Sequence, residues 1–165
     1  MQPPNLTSLN STPLVGFYTT VSGLGATPDQ VVFIGEKGVY SENPNNDPTL
    51  GSLNNFWRSA DNFQTRANYS WWTGAAKGML WSVSQASPLR RVQVTNNLLL
   101  YQFIPGTAFS GYSSGGFTAN VQVQGSVFSG SQQQWLSRSC DYSSWVGSNW
   151  NMVRFEFEPT MFPRI

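Results

Sequence analysis

Three short runs of alternating apolar and polar residues follow one another near the end of the chain: Ala119–Gln124 (ANVQVQ), Gln133–Arg138 (QQWLSR) and Asn151–Phe157 (NMVRFEF). Each is bounded by Gly, Ser or Asn, which is how strands joined by tight turns read. Side chains two apart share one face of a strand. The alternation therefore predicts that Val121 and Val123, and likewise Val153, Phe155 and Phe157, point together into a core. Gln122, Gln124, Arg154 and Glu156 then face outward. No stretch carries an amphipathic helical period of useful length, so the chain is predicted to be nearly all β.

Further candidate strands lie upstream at Leu14–Val21, Val31–Ile34, Asn54–Phe63, Met79–Ser84, Leu89–Thr95 and Leu98–Phe103, the last a more continuous apolar run. In the fifth of these, Val92 and Val94 are expected on one face and Arg91, Gln93 and Thr95 on the other. The runs are unevenly spaced and the loops between them vary in length. That pattern fits stacked coils of a solenoid better than the even hairpins of a sandwich. Asn55, Asn62, Asn97, Asn120 and Asn151 fall at or beside strand ends. Stacked Asn side chains at the bends of a parallel β-helix would satisfy turn amides, although turn preference alone also places Asn there. At 165 residues the chain supports one domain with a real core. It divides into an extended Pro/Asn/Ser/Thr-rich arm (1–13), a β domain (14–157) and a tail with two prolines (158–165).

Composition removes several functions. Only 10% of residues are charged and the net charge is +1, so nucleic acid and anionic membranes are not expected partners. No apolar run is long enough for membrane insertion. Residues 1–13 lack the regions of a secretory signal, as expected if a signal has been removed or the sequence is incomplete. The absence of histidine excludes serine-histidine and cysteine-histidine catalysis and the commonest metal ligand. The single cysteine, Cys140, makes no internal disulfide and no zinc site; it reads as a small core residue or as one half of an intermolecular bridge. Glu42 and Asp47 lack the spacing of a calcium loop, so neither metal nor cofactor is expected.

Aromatic residues make up 15% of the chain, more than a core of this size needs, and some should line a groove or an interface. Adjacent Trp71 and Trp72 cannot both point inward from a strand. With Tyr69 and Trp145 they are candidate sugar-stacking faces, the alternative being a lid over one end of the core or a subunit contact. Three Asn-x-Ser/Thr triplets, at Asn5, Asn10 and Asn68, are potential glycosylation sites in a secreted chain.

The words Asn55-Phe56-Trp57-Arg58-Ser59-Ala60, Trp81-Ser82-Val83-Ser84-Gln85-Ala86 with Pro88-Leu89-Arg90-Arg91, Ser113-Ser114-Gly115-Gly116-Phe117, Gly130-Ser131-Gln132-Gln133-Gln134-Trp135 and Asn149-Trp150-Asn151-Met152-Val153 carry a family resemblance. Together, over residues 15–155, they resemble secreted microbial proteins of the pectate-lyase-like, right-handed β-helix superfamily, whose members are often labelled adenylyl cyclase or coagulation factor 5/8-like. The resemblance implies a right-handed parallel β-helix, here short or partial because such proteins are longer. It also implies an extracellular or cell-surface, polysaccharide-rich setting. It supplies no catalytic residues, and Asn120 stands where related sequences tend to have an acid.

Three functions follow as expectations. The first is a non-catalytic structural or glycan-associated protein, self-assembling into a filament or other homo-oligomer through the open ends of a short solenoid. The second is a glycoside hydrolase or polysaccharide lyase. Hydrolysis needs two facing carboxyls, for which Asp61 and Asp141 are the first candidates and Glu36 and Glu156 the next; a lyase could use Arg58, Arg90, Arg91 or Arg138. The third is a carbohydrate-binding module. The first is expected ahead of the others. Nucleotide cyclisation is rejected because no phosphate-cradling glycine loop or paired metal-binding acids are recognisable.

Overall fold

The structure is a computed structural model that describes residues 6–43, 51–104, 107, 109–147 and 151–155. Twelve strands form one sheet: β1 (Thr7–Leu9), β2 (Thr20–Ser22), β3 (Val31–Phe33), β4 (Ser59–Thr65), β5 (Gly78–Leu80), β6 (Pro88–Val94), β7 (Asn97–Leu99), β8 (Phe117–Ala119), β9 (Gln122–Phe128), β10 (Gln134–Arg138), β11 (Asp141–Val146) and β12 (Asn151–Phe155). The one helical element among the described residues is a 3-10 turn at Pro28–Gln30. All pairings between these strands are parallel. Parallel neighbours cannot be joined by a hairpin, so each pairing requires a crossover. One path through the sheet runs β1-β3-β4-β6-β8-β10-β12, with β5, β7, β9 and β11 forming a branch. The expectation of an all-β chain holds at this level.

Left-handed residues bend the strands at equivalent positions. Asn62 (φ 58°) in β4, Arg91 (φ 48°) in β6, Asn120 (φ 53°) after β8 and Ser139 (φ 53°) after β10 follow the same register. Each bend redirects the chain, so β6 pairs with β8 before it and with β9 after it. For this reason Ala119–Gln124 is not one strand. In β6, Val92 and Val94 are buried as expected, but the bend leaves both Arg90 and Arg91 exposed. A left-handed L-residue costs about 1–2 kcal/mol, and local hydrogen bonds offset it. Asn62 Nδ2 donates to the Gly23 and Gly25 carbonyls at 2.8 and 2.7 Å. Asn97, which opens β7 without left-handed backbone, makes similar bonds: its Nδ2 donates to Lys77 O at 2.8 Å and its Oδ1 accepts from Ser126 N at 2.9 Å. These asparagines bond to the backbone of a neighbouring pass and do not form a side-chain ladder.

Inward side chains stack in columns set by the register. Phe63 in β4 leads to Val92 and Val121, and Cys140 packs against the same core. A second column runs Thr65, Val94, Val123 and Tyr142. Phe63 is fully buried and meets Phe33 edge to face at 5.2 Å; truncating such a ring costs about 3–5 kcal/mol. Elsewhere the chain is irregular, and small polar side chains satisfy its buried backbone. Gln132 Nε2 donates to Val83 O and Leu100 O at 2.8 and 2.6 Å, and its Oε1 accepts from Gly115 N at 3.1 Å.

Several strand expectations are corrected. In β12, Met152 is in register with buried Trp135 and packs on the core, whereas Val153 and Phe155 are exposed. Period two says which residues share a face; only the register says which face is inside. Phe157 and Glu156 lie outside the described residues. Of Leu14–Val21, only Thr20–Ser22 begins a strand, and Leu14 makes an isolated bridge to Tyr40. Strand β11 was not anticipated because its core-facing Tyr142 and Trp145 stand three residues apart; the register shifts between Tyr142 and Ser144, where β9 carries one extra residue, and both rings pack on the core. Within the arm, Thr7–Leu9 pairs with Val31–Phe33.

Candidate functional site

A second column of left-handed residues precedes the first: Tyr18 (φ 55°), Trp57 (φ 54°), Ala86 (φ 54°) and Gly115 (φ 92°). The registers of β2 with β4, β4 with β6, β6 with β8, β8 with β10 and β10 with β12 extend it through Gln134 to Asn151. Because the middle of the column holds only Ala86 and Gly115, the surface there is hollow. The result is a groove of about 520 Å³, a volume within the range of small-ligand sites. Pro88, Phe117 and Leu136, stacked in register on the outer face, supply its apolar wall. Gln85, Gln134 and Asn151 supply amides. The indole of Trp135 lies under Gly116, so close that a Cβ at Gly116 would overlap the ring. Among the described residues the lining contains no ionisable side chain. The groove can therefore offer apolar faces and neutral hydrogen-bonding groups to a ligand, but no acid, base or counter-charge of its own.

The sequence-predicted acids lie elsewhere. Asp61, in β4, holds Arg91 Nη2 at 2.5 Å and Arg90 Nη2 at 3.8 Å through Oδ2. Its Oδ1 is buried without a hydrogen-bond partner among the described residues. Asp141 is exposed at the start of β11, in the register column of Gln64, Gln93 and Gln122. That column places it three strand steps from β4, about 14 Å along the stack. Facing carboxyls in glycoside hydrolysis stand about 5–9.5 Å apart, so Asp61 and Asp141 are not brought together as a pair. Glu36 is exposed just after β3. No group of three or more His, Cys, Asp or Glu able to hold a metal occurs among the described residues.

Of the arginines, Arg58 is buried: Nη1 donates to Val15 O at 2.6 Å and Ser41 Oγ at 3.2 Å. Burial pushes its pKa below the usual value. Arg90 and Arg138 are exposed two residues beyond Pro88 and Leu136, on the same outward face as the groove wall.

The four predicted sugar-stacking aromatics are each packed into clusters. Lys37 Nζ sits over Tyr40, Tyr69 and Trp71 at 5.1, 4.8 and 5.0 Å from the ring centroids. Trp71 Nε1 donates to Gly78 O at 2.9 Å. Trp72 packs on Tyr101 and Phe103, and Trp145 lies between Tyr142 and the Arg154 guanidinium. The exposed rings among the described residues are Phe17, Tyr18, Trp57, Phe109, Tyr112 and Phe155; of these, Tyr18 and Trp57 stand in the column that forms the groove, and sequence reasoning did not single them out. Their signal was the repeated Phe-aromatic pair, Phe17-Tyr18 and Phe56-Trp57, each followed two residues later by a hydroxyl residue opening a strand, Thr20 and Ser59. Of the glycosylation triplets, Asn10 and Asn68 are exposed and Asn5 lies outside the described residues.

No protein-family model matches the chain. It is similar to an exo-beta-1,3-glucanase of Streptomyces sp. (strain SirexAA-E / ActE), with 36% identity over 139 residues, 84% of this chain and 20% of the relative. Among solved structures it resembles sacteLam55A from Streptomyces sp. SirexAA-E, with a TM-score of 0.73 and 31% identity over 97% of this chain and 27% of that one. A Glu-to-Ala variant of sacteLam55A in complex with glucose gives a TM-score of 0.71 and 31% identity over 96% of this chain and 26% of that one. The chain thus spans about a fifth to a quarter of the length of these relatives.

These likenesses correct two expectations. The pectate-lyase-like recognition is overturned, because the relatives found by sequence and by structure are glucanases. Its physical cause is visible: words such as Asn55–Ala60 and Ser113–Phe117 fall where the chain bends into a strand, so they record the demands of the parallel sheet. The ranking of a non-catalytic structural role, filament assembly included, above catalysis is overturned by the same relatives, which favour the glycoside hydrolase alternative.

Proposed function

We propose that this chain is a glucan-contacting portion of a β-1,3-glucan-degrading glycoside hydrolase. The observation that carries the reading is the likeness, at 31% identity over 97% of the chain, to sacteLam55A. In this reading the parallel ladders are the faces of a short right-handed β-helix built from residues 14–157, working in an extracellular setting on a neutral polysaccharide. The groove beside Ala86 and Gly115 holds the glucan: Phe117, Leu136 and Pro88 meet the apolar C–H faces of the sugar, and Gln85, Gln134 and Asn151 bond its hydroxyls. With no carboxyl among the described residues of its lining, this groove serves binding rather than bond cleavage. The same absence keeps a pure carbohydrate-binding module as the second reading.

The test uses the natural gene product that contains this chain. Glucose release from a linear β-1,3-glucan, with a β-1,4-glucan as control, is the expected result. No release, together with retained binding of the β-1,3-glucan, would leave the binding-module reading in place; neither release nor binding would refute both.

A further inference from the structure

We propose that Tyr18 and Trp57 form an aromatic platform that prolongs the groove, so that a glucan of several residues lies along the column from Tyr18 to Asn151. This rests on the glucan reading and adds to it the residues that set how affinity depends on chain length. The column crosses five strand steps, about 24 Å, which is longer than a single sugar ring.

Three observations converge. Tyr18 and Trp57 are 80% and 51% exposed, although both hold left-handed backbone that bulky side chains rarely adopt. Later passes put Ala86 and Gly115 in the same register with the same sign of φ, so the fold does not need a ring at this position. Strain retained at an exposed aromatic, where a small residue would serve the fold, points to use of the ring. Secondly, the rings are held in place. Tyr18 and Trp57 lie 5.3 Å apart, Phe56 meets Trp57 edge to face at 5.3 Å, Phe17 meets Phe56 at 5.2 Å, and the Arg58 guanidinium backs Phe17 at 4.9 Å. A ring fixed before binding loses little rotamer entropy when a ligand stacks on it. Thirdly, the groove lining among the described residues is uncharged. Arg58 is buried behind the rings, Arg90 lies 3.8 Å from Asp61, and exposed Arg138 stands beside the wall rather than in the lining. A single-stranded nucleic acid would require a basic track beside the aromatics, so the occupant with matching chemistry is an uncharged polymer with apolar ring faces and hydroxyls.

Calorimetric titration of the chain with β-1,3-linked glucose trimers and hexamers provides the test. Wild type is expected to bind the hexamer more tightly than the trimer. Trp57→Ala should weaken the hexamer at least about tenfold, as truncating an aromatic anchor does, and should shrink the difference between the two lengths; Trp57→Phe should restore most of it. Gln134→Ala should weaken both lengths. Trp57→Gly, which frees the strained backbone, should lose hexamer affinity with a melting temperature equal to or above that of wild type. Wild-type hexamer affinity in Trp57→Ala would overturn the platform while leaving the groove reading intact, as would a fall in melting temperature in Trp57→Gly that parallels the affinity loss. Failure of wild type to bind either oligosaccharide would overturn the glucan reading, and the platform with it.

Discussion

Gly116→Ala is the most informative single change in the groove. A Cβ there would overlap Trp135 Cζ3 and fall 2.5 Å from Cη2 and 2.8 Å from Cε3. The indole cannot step aside cheaply. It is 2% exposed, its Nε1 donates to Thr118 Oγ1 at 3.1 Å, and that hydroxyl is paired with Ser137 Oγ at 2.8 Å. Overpacking of this kind costs about 1–3 kcal/mol, and losing the indole hydrogen bond adds about 1 kcal/mol. Replacing Gly by Ala returns about 0.5 kcal/mol through the unfolded chain. The net expectation is a loss of about 1.5–3.5 kcal/mol, or a melting temperature lower by roughly 3–14 °C for a chain of this size. Urea unfolding should show a lower midpoint with an unchanged slope. In a Trp135→Leu background the same substitution should cost little, giving a coupling of about 2 kcal/mol between the two sites. A change below 0.5 kcal/mol in the wild-type background, or an equal cost in both backgrounds, would refute the claim that the glycine exists to make room for the indole.

Other perturbations probe the bends, the buried cation and the thiol. Asn120→Val, a β-branched residue at φ 53°, should cost about 2 kcal/mol, whereas Asn120→Gly should stay within about 0.5 kcal/mol; thermal melts of both check it. Arg58→Lys replaces a guanidinium that bonds Val15 O and Ser41 Oγ, and should lower unfolding free energy by about 2 kcal/mol in urea titrations. Burial pushes the Cys140 thiol above its ordinary pKa, with bonds to neighbouring backbone and Thr118 acting the other way. The unfolded thiol therefore ionises first, so stability is full below about pH 8.5 and falls as pH rises toward the folded-state pKa. Cys140→Ala should flatten that alkaline decline; an unaltered pH profile would show that the thiol does not contribute to it.

Strand identity was legible where period two survived. Gln134–Arg138 and the inward pair Val121 and Val123 follow directly from alternation, and Val31–Phe33 from a short apolar run ended by Gly35. It failed where the backbone leaves extended geometry, at the left-handed Asn120, and where an extra residue in β9 shifts its register against β11, since one unpaired residue changes which side chains face the core. The aromatic surplus was legible as a signal of exposed rings, but not which rings. Trp71 and Trp72 drew attention by adjacency and are packed in clusters, whereas Trp57 is exposed by a bend.

The sequence by itself determined an all-β chain with little charge and without the groups for histidine chemistry, because composition and local periodicity bound those directly. Tertiary structure decided the rest. Residues far apart in the chain, from Tyr18 to Asn151, become one column only when parallel strands stack in register. That register exists between strands and not along them, so the groove formed by Ala86 and Gly115 between larger neighbours has no signature in any single stretch of sequence.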